Sequence, residues 1–142
     1  GMLGHTLNPR PWTAAMLHLA KYHATGNDFL VWSGPVDTEL DRDLVQSLCD
    51  RRRGVGADGL ITLGPPQTDG AHCSFRLHNA DGSDAEMSGN GMRCLAAAAA
   101  AHGLGTATRL VVDTVVGVRT VGLRRDGADL VIGAAVDRSR LV

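Results

Sequence analysis

The segment LHLAKYH (17–23) alternates apolar and polar residues, and after ATGND (24–28) comes an unbroken apolar run, FLVW (29–32). Period-two alternation marks a half-buried strand and a short apolar run a fully buried one, so the pair predicts a β-hairpin joined by a short loop. The period then lengthens. Leu40, Leu44, Val45, Leu48 and Cys49 recur at helical spacing, behind an S/T-x-x-D/E start signal made by Thr38 and Asp41. Arg51, Arg52 and Arg53 fall where the last turn would be, complementing the helix dipole, with Gly54 as the cap. LITL (60–63) and HCSFRLHN (72–79) read as strands, the second with Cys73, Phe75 and Leu77 on one face and His72 and His78 on a solvated one.

Asp81-Gly82 is a strong hairpin-turn pair. It is followed by SGNGMRCLAAAAAAHG (88–103), in which six consecutive alanines predict a helix with small side chains nearly all round, suited to burial inside a sheet. The start of this helix is glycine-rich and Gly103 ends it. LVVDTVV (110–116), VRTVGLR (118–124) and DLVIGAAV, ending near Val136, give three more strands, with Asp126-Gly127 as a turn. Most connections are short, which predicts one α+β domain with a mainly antiparallel sheet.

The chain has 142 residues, one domain on a scale of about 100–200 residues per domain. Patterning begins near Met16, so residues 1–15, with Gly1 reading as a tag residue ahead of Met2, are expected to be a loose extension and 16–142 the domain. A 44% hydrophobic, 20% charged composition with a net charge of -1 excludes a disordered chain or a strongly basic nucleic-acid binder, and 4% aromatic residues provide no base-stacking surface. No apolar run is long enough to span a bilayer, so no membrane role is expected. Cys49, Cys73 and Cys94 are odd in number and contain no C-x-x-C, which fits neither a disulfide framework nor a zinc site and points to a reducing cytoplasm. Each thiol falls where packing is its expected job.

Three stretches carry candidate chemistry. Gly54 to Gly59 spells G-x-G-x-x-G, but it leaves a helix and enters a strand, the reverse of the order in which such glycines cradle phosphates on a helix N-terminus. It therefore reads as a helix-to-strand loop. Ser88-Gly89-Asn90-Gly91 opens the alanine helix, where unsatisfied backbone N–H groups and the positive dipole end favour a carboxylate or phosphate. The plain alternative is that Ser88 or Asn90 is only an N-cap; the two glycines around Asn90 weigh for a ligand, because they cost helix stability and suit close approach to the backbone. A hydrolase elbow at Ser88 fits less well, since Glu86 replaces the first glycine of G-x-S-x-G and no histidine is placed beside Ser88 by sequence. The six histidines show no metal-site spacing.

Taken together, KYHATGNDF (21–29), RRRGVGADGL (51–60) and FRLHNADGSDAEMSGNGMRC (75–94) closely resemble the N-terminal half of the diaminopimelate epimerase family, from about Leu17 onward. The resemblance implies a sheet wrapped around a central helix, here the alanine helix. It also implies cofactor-independent epimerisation of LL- to meso-diaminopimelate in lysine and peptidoglycan precursor synthesis, with two lobes each supplying a cysteine at a helix N-terminus, one thiolate removing the α-proton and the opposite thiol returning one. Carried across by motif, Asn27 and Asn79 become substrate contacts, and Gly89 and Asn90 supply N–H groups to the α-carboxylate. Two departures follow. The cysteine before GNG is Ser88, whose hydroxyl is far less acidic than a thiol of pKa about 8.5, and the second lobe lies outside this sequence. The expectation is a family member impaired in proton transfer as this chain alone, completed by a second lobe or by a homodimer of two facing copies. The alternative is a non-catalytic module that binds amino-acid carboxylates or assembles with a partner.

Overall fold

A computed structural model describes residues 11–13, 18–34, 40–126 and 129–137. Strands β1 (His18–Ala24) and β2 (Asn27–Gly34) pair antiparallel across a two-residue turn in which Thr25 and Gly26 both have positive φ. Helix α1 (Arg42–Cys49) then carries the chain to β3 (Gly59–Gly64), which lies parallel to β2. Strand β4 (Cys73–Asn79) returns antiparallel to β3, and helix α2 (Gly89–Ala101) crosses over to β5 (Arg109–Thr114), parallel to β4. Strands β6 (Gly117–Asp126) and β7 (Asp129–Asp137) complete the ladder antiparallel. Sheet order equals chain order through all seven strands. The α+β, mainly antiparallel expectation is met, with a helical crossover at each of the two parallel joints.

The two crossovers lie on opposite faces. On β2, Phe29 and Val31 point into one core with Ile61, Leu63, Phe75 and Leu77, while Leu30 and Trp32 point into another with Leu60 and the α1 residues Val45 and Cys49. The β3–β4 hairpin explains the arrangement: it reverses strand direction between the crossovers, so two connections of the same hand must leave from opposite sides of the sheet. The larger core surrounds α2, whose Met92, Cys94, Leu95, Ala98 and Ala99 are buried. This helix packs against β1, β2, β3 and β7, so the sheet curls around it and brings both ends of the strand order to one helix. Alanine permits that enclosure, because larger side chains on every face would hold the strands off.

Several local expectations change. The side chain of Asp41 caps α1 by accepting from Leu44 N at 2.8 Å, so the helix starts at Arg42; Thr38 lies outside the described residues. The three arginines follow the helix instead of closing it. Asp50 is the C-cap, and its carboxylate accepts from the N–H groups of Arg52 and Arg53 at 2.8 and 3.1 Å. Val115 and Val116, read as the end of a strand, form the exposed β5–β6 turn before Gly117 at φ 113°. The Asp81-Gly82 turn forms, with Gly82 at φ 86°, but it leads only to a single bridge between His78 and Asp84. Neither histidine is simply solvated: His78 is buried, and His72, the residue before β4, accepts at Nδ1 from Val111 N of β5 at 2.9 Å. The other turn signal, at Gly127, lies outside the described residues. Pro11–Thr13, within the stretch expected to be loose, form a short 3₁₀ turn whose Pro11 is buried, with Trp12 against the larger core.

Candidate active site

The N-terminus of α2 opens into a cleft of about 460 Å³. Phe29 and Leu77 give it apolar walls, and Asn27, Asp58, Asn79, Glu86 and Ser88 bring polar groups to it. Each arrives by a local rule. Asn27 is the first residue of β2 after the tight turn, Asn79 the last of β4, Ser88 the N-cap of α2, and Asp58 the last residue before β3. Parallel pairing of β2 with β3 sets Phe29 beside Gly59, where a Cβ would come within 2.6 Å of the His78 carbonyl oxygen. Glycine at 59 therefore lets strand ends carrying Asn27, Asp58 and Asn79 converge.

Ser88 is extended (φ -111°, ψ 155°) and its Oγ accepts from Gly91 N at 2.9 Å. This leaves the N–H groups of Gly89 and Asn90, the first two of the helix, without a carbonyl four residues back and at the positive end of the dipole. The two glycines of this turn prove unlike. A Cβ at Gly91 would stand 2.9 Å from Ser88 Oγ and 3.4 Å from Leu77, whereas one at Gly89 would meet nothing within 4 Å. Gly91 is required by the cap and the core; only Gly89 faces open space over the free N–H groups.

Asn90 Nδ2 donates to Asn27 Oδ1 at 2.7 Å, joining α2 to β2 at the edge of the cleft. Asn79 Nδ2 donates to Ser83 Oγ at 3.0 Å, within its own turn. Asn27, Asn79, Ser88 and Asn90 thus gather at one end of α2, and Gly89 lies between the last two in sequence. Cys94 does not join them: it is buried in the core, and burial first, with the nearby negative charge of Asp28 second, pushes its thiol up to about 11. Cys73, up to about 12 for the same first reason and through Asp113, is likewise a packing residue, and so is the buried Cys49. Among the described residues no three His, Cys, Asp or Glu side chains are grouped as metal ligands.

A group absent from the sequence reading lies beside the cleft. Arg51 holds Asp28 with two hydrogen bonds, at 2.8 and 3.1 Å, and Asp58 with a third at 3.0 Å, while Lys21 reaches Asp28 at 3.2 Å. The Arg51 bonds, followed by those of Lys21 and Asp58 N, hold the Asp28 carboxyl well below its ordinary range, against burial that pushes it up. The sequence carried the signal: opposite charges sit inside two of the motifs, TGND and RRRGVGADG, but the Arg51–Asp28 pairing across 23 positions, and the bond from Asp58 N to Asp28 across 30, need the parallel β2–β3 joint.

A family model described as diaminopimelate epimerase matches residues 19–137. The chain belongs to the diaminopimelate epimerase family. A diaminopimelate epimerase of Heliobacterium modesticaldum is 38% identical over 125 residues, covering 85% of this chain and 44% of that protein. That of Halothermothrix orenii is 42% identical over 105 residues, covering 73% and 37%. The chain thus spans less than half the length of these epimerases. Among solved structures, a methylitaconate-delta-isomerase superposes with a TM-score of 0.64 at 14% identity, covering 76% of this chain and 34% of that one. A Bacillus anthracis phenazine biosynthesis protein of the PhzF family gives a TM-score of 0.56 at 16% identity, covering 82% and 38%. At such identities the likeness shows a shared epimerase-type fold alone. Among the described residues, no helix is long and apolar enough to cross a membrane.

Proposed function

We propose that this chain forms one wall of a diaminopimelate epimerase site, binding the zwitterionic end of a diamino acid, and that Ser88 makes it a poor base for the α-proton. The observation that carries the reading is the convergence of Asn27, Asn79 and Ser88 on one cleft at the N-terminus of α2, with Asn90 bonded to Asn27. The free N–H groups of Gly89 and Asn90 suit a carboxylate. Glu86 in the same cleft suits an ammonium. A site with both signs at hydrogen-bond scale fits an amino acid better than a simple acid or amine.

Chemistry at the α-carbon requires a base and, on the opposite face, an acid. The resemblance implies cysteine at position 88; the serine here is far less acidic, and its Oγ is engaged as the cap. The described residues supply one face of the α-carbon. A second copy of this chain or a further lobe supplies the other, and no cofactor enters the reaction. Three free cysteines suit a reducing compartment such as the cytoplasm.

Cap engagement of Ser88 also favours a second reading, a carboxylate-binding module without chemistry. One experiment separates them: α-proton exchange of meso- and LL-diaminopimelate in deuterated water by NMR, with ligand line-broadening in the same samples. Broadening with slow exchange or none is expected. Exchange at the rate of an intact two-cysteine epimerase would overturn the role given to Ser88, and absence of broadening would overturn the binding site.

A further inference from the structure

The charged groups around Asp28 lie outside the reacting centre, yet their hydrogen bonds end on it. Arg51 Nη2 donates to Asp58 Oδ1 at 3.0 Å. Asp58 Oδ2 accepts from Asp28 N at 3.0 Å and from Asn27 Nδ2 at 3.2 Å. Asn27 Oδ1 then accepts from Asn90 Nδ2 at 2.7 Å, in the first turn of α2. A carboxamide has a donor end and an acceptor end of nearly the same shape, so its partners decide which way it points. An ionised carboxylate can only accept. Asp58 therefore turns the NH₂ end of Asn27 towards itself and the oxygen towards Asn90, and this, with a longer bond to the Thr25 carbonyl at 3.5 Å, fixes the NH₂ end of Asn90. The series starts at a guanidinium that stays charged at every working pH.

We propose that Asp58, anchored by Arg51, is a positioning residue that sets which ends of the Asn27 and Asn90 amides a bound amino acid meets. The proposal deepens the site described above and rests on it for the ligand, but the relay itself is a property of the free chain. A purely structural Asp58, tying the loop before β3 to the β1–β2 turn, would lower stability when removed and leave amide orientation as it was. A positioning Asp58 moves the amides themselves.

The test is a side-chain amide ¹⁵N–¹H NMR spectrum of the full chain and its variants, first alone and then with meso-diaminopimelate. In the unaltered chain Asn27 and Asn90 are each expected to show one hydrogen-bonded, slowly exchanging amide proton. Asp58→Ala should speed that exchange at both residues at least about tenfold and weaken diaminopimelate binding about five- to tenfold, the size of one ordinary hydrogen bond lost to the ligand through the misplaced amides. Asp58→Asn, which keeps the shape and so guards against a folding failure, can donate as well as accept; it should give doubled Asn27 signals as the amide takes both orientations. Asp69→Asn, in an exposed loop away from the cleft, should change neither. Unmoved Asn27 and Asn90 signals in both Asp58 variants, with only a lower melting temperature, would overturn the positioning role. Moved signals in a chain that binds no diaminopimelate would uphold the relay and overturn the ligand, and binding with unmoved signals would do the reverse.

Discussion

The Ser88 oxygen is already engaged in the fold. As N-cap it satisfies Gly91 N, and Ser88→Ala should cost about 1 kcal/mol in a urea or thermal melt. Ser88→Cys should return α-proton exchange, read by deuterium uptake in NMR, only when a second wall completes the site. Stability against pH should fall in two steps. His78 and His102 have pKa values lowered from 6.5, first by burial, then by Arg76 and His18 respectively. Their neutral forms favour the fold, so stability is whole above the unfolded value and drops as pH falls below about 6.5. The Asp28 carboxyl is held low chiefly by Arg51, so its contribution is whole above the ordinary carboxylate range and is lost as pH falls through that range towards its own lowered value. Denaturation midpoints from pH 8 to 2 should show both steps, and Asp28→Asn should flatten the second and leave the first.

At the scale of elements, the first turn of α2 makes a sharper contrast. Gly89→Ala enters open space and should raise stability by up to about 1 kcal/mol through helix propensity, while narrowing the approach to the free N–H groups and weakening diaminopimelate binding. Gly91→Ala has the same propensity gain, but its Cβ would press on Ser88 Oγ and Leu77, so a net loss of stability is expected in the same melts. Deeper in the helix, Leu95 is fully buried, and Leu95→Ala should cost about 2–5 kcal/mol. Elements of this kind were legible because periodicity and caps act over a few residues: the six alanines, the alternation around Phe75 and the turn glycine at 82 all report local physics. Where the reading failed, a distant partner decided. Nothing near His72 announces its bond to Val111, and Asp50 ended α1 where three arginines suggested a longer helix. At the site, Asn27, Asn79 and Ser88 were legible as motif positions and do converge. Arg51 and Asp58 were hidden in a glycine-rich loop whose meaning appears only when β3 lies beside β2.

For the whole molecule, the proposed function makes the cleft at one end of the central helix half of a site, and the proposed second wall sets an expectation for assembly. If two copies face one another, sedimentation should show a concentration-dependent dimer that diaminopimelate tightens; a monomer unmoved by ligand at high concentration would leave a further lobe as the supplier of the other face.

The strictly sequential strand order also bears on how the chain reaches this state. Every strand hydrogen-bonds only to those before and after it, so the antiparallel pairs can form across short loops, whereas the parallel β2–β3 and β4–β5 joints must wait for α1 and α2. The central helix reaches furthest along the chain. Asn27 is made early and meets its partner Asn90 63 positions later, and α2 must lodge between β1 and β7, the first strand of the ladder and the last. The Asn27–Asn90 bond at the edge of the cleft therefore forms only after α2 has been made, and it reports the docking of that helix on the first hairpin.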